Sequence, residues 1–277
     1  MRRLLKLLLL FLVYLIYKLG EDFFKKGYTY HASAIAFSSF LVLNTAIIFL
    51  GTIIKYIPHR ELVIAKIYEF FPNVSQSVVN LIVQSLENLS AKTQIFTLVL
   101  VIFFIGNYLR TIEIGFAFVA NTKPKTFPIM NYILPFLFGF LMLFYGIVDM
   151  TLDVLPKVLF NLHIYTPWIL QFLGTLKLVI NYLAFPVGLF VIYYFLSPVK
   201  ISWNTTFAVS LILFLTLNPL KDLFTWYVTH ILEKNLILTP LASILIFLIW
   251  LYTISLFLLL GYRLILLLES LFKEKTD

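Results

Sequence analysis

Long apolar runs, repeated along the chain with charges gathered between them, constrain this sequence more than any other feature. A helix needs about 20 apolar residues to cross a bilayer, where every backbone N–H and C=O must be satisfied within the helix itself. Six stretches meet that length, over residues 31–54, 94–112, 130–150, 168–196, 203–220 and 237–268. The last is longer than a straight crossing needs, which implies tilt or protrusion. The fourth contains Pro186, which removes one backbone hydrogen bond and predicts a kink. The expected fold is all-α and polytopic: one transmembrane domain over residues 1–277, with six transmembrane helices and the main bundle over 94–270.

Composition closes the soluble alternative. Charged residues are 12% of the chain, against about 25% in a soluble domain. The 18% of aromatic residues suits lipid-facing helices with tyrosines at head-group level. With no cysteine, neither a disulfide framework nor a thiolate metal site can form.

The first 20 residues do not span alone, because the apolar run from Leu7 to Tyr17 is only eleven residues long. Arg2, Arg3, Lys6, Tyr14 and Tyr17 share about a third of the helical circumference, which predicts a helix lying in the inner interface. Nothing after Tyr17 resembles a signal-peptide cleavage site. A seventh span is the alternative. Residues 55–93 form an outer loop far longer than a simple connection, with Val78, Leu81, Ile82, Leu86 and Leu89 at helical spacing. It is expected to be partly helical, as a packing helix or as a lid.

Charge orients the bundle. With six spans and the amino terminus inside, the cytoplasmic segments hold thirteen Lys and Arg against six carboxylates, and the outer segments hold seven of each. Lys177, within a span, completes the net charge of +8. The positive-inside rule thus explains the basic excess without nucleic acid, and places both termini in the cytoplasm.

Several stretches are similar to a known family. Tyr194-Phe195-Leu196-Ser197-Pro198, followed by Lys200 and Trp203, resembles the Tyr-x-x-x-Pro stretch of the YihY/BrkB family of bacterial inner-membrane proteins. Phe224 to Tyr227 resembles its Phe-x-x-Tyr element, and Trp250-Leu251-Tyr252 with Gly261 resembles its closing Trp-x-Tyr and Gly-Ala-Glu signature. Ala32-Ser33-Ala34-Ile35-Ala36-Phe37 resembles the Ala-rich opening of its first span. The chain departs where Val42 and Thr45, Leu238 and Thr239, and Gly261-Tyr262-Arg263 stand in place of the family's residues. The last puts a base where the family has an acid. The resemblance implies six spans with cytoplasmic termini. It implies no settled activity, since the old label ribonuclease BN is regarded as a misassignment, and a link to serum resistance points to the cell envelope.

Enzymatic chemistry lacks its parts. His31, His59, His163 and His230 fall in separate regions without metal-binding spacing, and no phosphate loop or nucleophile motif appears. No enzyme, cofactor or metal is expected. Polar residues inside spans are the stronger lead, since each costs several kcal/mol unless it faces the bundle interior. Gly174, Lys177, Asn181, Ala184 and Gly188 share about 80° of the fourth helix. This stripe reads either as small-xxx-small helix packing or as a polar pathway. Asn107, Arg110 and Glu113 lie at i, i+3 and i+6, so that Arg110 and Glu113 can pair near the inner interface. Asn218, Lys221 and Asp222 flank Pro219 near the outer end of the fifth span. On the first span Ala32, Ala36, Ser39 and Ala46 read as a packing face, with Asn44 as an interhelical hydrogen-bonder.

These residues point to a protein that transports or flips a lipid or envelope amphiphile, with membrane lipids as partners. The alternative is a non-transporting scaffold for envelope-assembly proteins.

Overall fold

The computed structural model describes residues 27–53, 91–125, 167–227 and 239–273, with positions 17, 18, 20, 21, 133, 148, 149, 151, 152, 155, 156 and 159. These residues form five long helices and no strand: α1 (Tyr28–Ile53), α2 (Ala91–Val119), α3 (Pro167–Leu196), α4 (Trp203–Tyr227) and α5 (Thr239–Lys273). Each falls on an expected span. Most of the expected third span, of the outer loop and of the interfacial helix lies outside the described residues. Four stretches, Ile95–Val119, Pro167–Leu196, Trp203–Phe224 and Leu245–Leu271, are long and apolar enough to cross a membrane. The 35 residues of α5 rise about 52 Å at 1.5 Å each, well beyond a hydrocarbon core of about 30 Å.

Two helices run furthest beyond their expected spans. α2 does not stop at residue 112 but continues to Val119. α4 does not stop at 220 but runs through Pro219 to Tyr227. Pro219 cannot supply the amide that the Leu215 carbonyl would accept, yet the turns on either side hold the helix. α3 passes through the buried Pro186 in the same way.

α2 ends in a defined cap. The Thr122 amide donates to the Ala117 carbonyl at 2.9 Å and the Asn121 amide to Phe118 at 3.1 Å, with Asn121 at φ 52°. This is a Schellman motif, with asparagine at the left-handed position. Asn121→Gly should therefore be tolerated. Asn121→Val should lower stability by about 1–2 kcal/mol, measured as a drop in melting temperature, because a β-branched side chain resists positive φ.

The helices divide into two compact units, one of Met1–Gly115 with Leu217–Leu260 and one of Phe116–Thr216 with Gly261–Asp277. In the first, Ala32 and Ile35 of α1 and Leu109 and Ile112 of α2 are buried, and Ile35 reaches Gly115 of α2. A Cβ on Gly115 would stand 3.0 Å from Leu259 Cδ2 and 3.3 Å from Ile35 Cδ1, so the missing side chain lets α1 and α5 approach α2. Ser38 and Thr111 hydroxyls meet 3.3 Å apart between α1 and α2, and the Phe224 and Trp250 rings stack at 5.0 Å. The expected packing face of α1 is buried at Ala32 and Ala36 and half-buried at Ser39 and Ala46. Asn44, expected to bond across helices, instead donates to the Phe40 carbonyl of its own helix at 2.7 Å. Its side chain is exposed, which leaves the carbonyl one turn back on its own helix as the acceptor that it reaches.

In the second unit the core is aromatic. Phe116 stacks on Tyr262 at 4.2 Å and on Tyr193 at 5.5 Å, and all three are fully buried. Gly261 makes this possible, since a Cβ there would overlap Leu213 Cδ1 and the Tyr193 hydroxyl.

Candidate functional site

The polar groups of the second unit are organised at the junction between α3, α4 and α5. The Tyr262 and Ser197 hydroxyls are 2.8 Å apart, and Ser197 Oγ donates to the Val199 carbonyl at 2.7 Å. With its proton committed to Val199, Ser197 accepts from Tyr262, so both buried hydroxyls are satisfied. At the amino end of α4, Glu269 accepts the Ser202 amide at 2.9 Å and is also bonded by the Ser202 hydroxyl. A carboxylate there complements the partial positive charge of a helix start. Ser197 lies in a stretch that carries the family likeness, and Tyr262 stands where the chain departs from it, next to Gly261. No periodicity in the sequence signals either contact, because each partner lies on a different element.

The first unit contains the charged pair expected on α2. Arg110 Nη1 donates to Glu113 Oε2 at 2.8 Å. Glu113 is 4% exposed, while the Arg110 side chain is about a third exposed. The second carboxylate oxygen, Oε1, is buried and has no hydrogen-bond partner among the described residues. Because α2 continues two turns past Glu113, the pair sits within the helix rather than at its end. Asn107, one turn earlier, is exposed, and its carbonyl accepts the Thr111 hydroxyl at 2.8 Å.

The other expected residues divide between the units. Lys177 is half-buried on α3 in the second, and Asn181 lies on the same helix with its side chain outside the described residues. A Cβ on Gly174 or Gly188 meets nothing within 4 Å among the described residues. Among the described residues no side chain or backbone stands over either glycine of the stripe, whereas Gly115 and Gly261 are pressed by neighbouring helices. Asn218 is half-buried and Lys221 and Asp222 are exposed on α4 in the first unit. The extension of α4 to Tyr227 places these three inside the helix, near the end of its membrane-length stretch Trp203–Phe224. Of the expected residues, the structure brings Arg110 and Glu113 into contact.

Much of the surface is apolar, as a lipid-facing protein requires. On α3 alone Trp168, Phe172, Leu178, Tyr182 and Phe185 are exposed. Such a contiguous apolar surface is rare on a soluble monomer. Neither a curated protein nor a solved structure matches the chain. The family described as Virulence factor BrkB matches residues 19–277, which takes in all five described helices. With its membrane-length apolar helices, the chain is an integral membrane protein and belongs to the BrkB family.

Proposed function

We propose that this is a six-span inner-membrane protein, both termini cytoplasmic, that moves or flips a lipid or envelope amphiphile without enzymatic chemistry. The observation that carries this reading is the open glycine stripe of α3. Packing would cover Gly174 and Gly188 closely, yet neither has a neighbour within 4 Å of its Cβ position among the described residues. Between them lies Lys177, half-buried in a long apolar span on which Phe172, Leu178 and Tyr182 are exposed beside the polar Gln171 and Thr175. A charge in that setting costs several kcal/mol and is retained where a polar group must pass. Lys177 and Asn181 then offer a cation and an amide to a head group, while the acyl chains stay in lipid. On the expected topology Arg110 with Glu113 and Asn107 meets a head group near the inner interface, and Lys221 with Asn218 and Asp222 meets one near the outer interface.

The test is movement of a fluorescent phospholipid across vesicles containing the purified protein. Lys177→Met should slow movement at least about tenfold while leaving the melting temperature unchanged or raised. An active Lys177→Met protein at the native rate would end the pathway reading.

A second reading, a scaffold recruiting envelope-assembly proteins, is supported by the satisfied junction of Ser197 with Tyr262 and of Ser202 with Glu269. It expects no lipid movement from the native protein at all.

A further inference from the structure

Glu113 carries a buried carboxylate that packing does not require. It shares the buried face of α2 with Leu109 and Ile112, where an apolar side chain would leave no polar atom unsatisfied. One oxygen is held by Arg110 at 2.8 Å, and the other, Oε1, is buried with no hydrogen-bond partner among the described residues. Arg110 stands beside the opposite, outward face, on which Phe103, Asn107 and Ile114 are exposed. The pair is thus layered, with the cation in front and the anion behind it.

A head group approaching this face meets Arg110 first. A purely anionic head that drew Arg110 away would strand Glu113 as a buried, unpaired carboxylate, which is the costly way to break such a pair. A purely cationic head would leave Arg110 without its carboxylate. A head carrying both charges strands neither, because its phosphate takes Arg110 and its cation takes Glu113. Both carboxylate oxygens then have a donor within reach, provided that the cation bears N–H groups. A quaternary ammonium satisfies the charge but has no hydrogen to give.

We propose that Arg110 and Glu113 form a clasp for a zwitterionic lipid head bearing a primary ammonium, of the phosphoethanolamine kind. The ligand's being a lipid rests on the reading given under Proposed function, but its recognition here does not depend on lipid being moved.

The test uses the full chain in nanodiscs of equal ethanolamine-, choline- and glycerol-headed phospholipids with the same acyl chains, and quantifies the lipid retained by the protein. Ethanolamine lipid should be enriched about tenfold over choline lipid, the worth of a charge-assisted hydrogen bond, with no enrichment of the anionic glycerol lipid. Glu113→Gln should abolish the enrichment. The double variant Arg110→Gln/Glu113→Gln, which leaves no charge stranded and so guards against misfolding, should abolish it too. Equal retention of ethanolamine and choline lipids by the native protein overturns the proposal, as does enrichment that survives in the folded double variant. Displacement of the lipid by an equal concentration of soluble phosphoethanolamine would overturn the lipid assignment. Enrichment without any lipid movement would uphold the clasp and sink the transport reading alone.

Discussion

Gly261→Leu is expected to abolish the folded protein. A Cβ at this position already overlaps Leu213 Cδ1 and the Tyr193 hydroxyl, and Leu213 Cγ follows at 3.2 Å. Tyr193 has no room to retreat, because it is fully buried and stacked on Phe116. Overpacking a tight interior by one methyl costs about 1–3 kcal/mol, so Gly261→Ala should lower the melting temperature measurably. Three further carbons exceed what the junction absorbs. Gly174→Leu and Gly188→Leu, by contrast, should melt close to the native protein, since their positions open onto unfilled space among the described residues. Scanning fluorimetry in detergent ranks all four. Equal losses at Gly174 and Gly261 would contradict the assignment of close contact to Gly261 and open space to the α3 stripe.

That ranking could not be read from the sequence. A helical wheel places Gly174 and Gly188 on one face, but says nothing of what stands opposite, and Gly261 is in no stripe. The apolar runs were legible, because the hydrocarbon core dictates their length and excludes charge. Helix ends were less so. Apolar residues continue past Ile112 to Val119, and the stop at Asn121 is a matter of one left-handed residue. Pro219 reads as a terminator, yet α4 accommodates it. The i, i+3 spacing revealed the Arg110–Glu113 pair, whereas its burial depends on which face of α2 meets α1. Ser197 with Tyr262, and Ser202 with Glu269, are long-range contacts with no local signature.

Arg110→Ala is the second substitution with a large expected effect. It leaves Glu113 buried with neither oxygen paired, and removing one partner of a buried ion pair costs about 3–5 kcal/mol. Because the Arg110 side chain is about a third exposed, the lower end, about 3 kcal/mol, is expected. Glu113→Leu should cost less, since Arg110 can extend toward the exposed face. The double variant Arg110→Ala/Glu113→Leu removes both charges and should recover to within about 1 kcal/mol of the Glu113→Leu protein. Chemical denaturation of the four proteins in one detergent gives the cycle. A double variant no better than Arg110→Ala would show that other contacts, not the stranded carboxylate, set the cost.

The absence of cysteine from the chain allows the α3 stripe to be blocked at a single place in a single sample. Gly188→Cys should fold and carry fluorescent phospholipid across vesicles at the native rate, because a Cβ there meets nothing within 4 Å among the described residues. The same vesicles are then treated with a bulky maleimide, and movement is measured again alongside the melting curve. A lipid path along α3 predicts that movement stops once labelling is complete, with melting unchanged. Movement at the unmodified rate after complete labelling would contradict it.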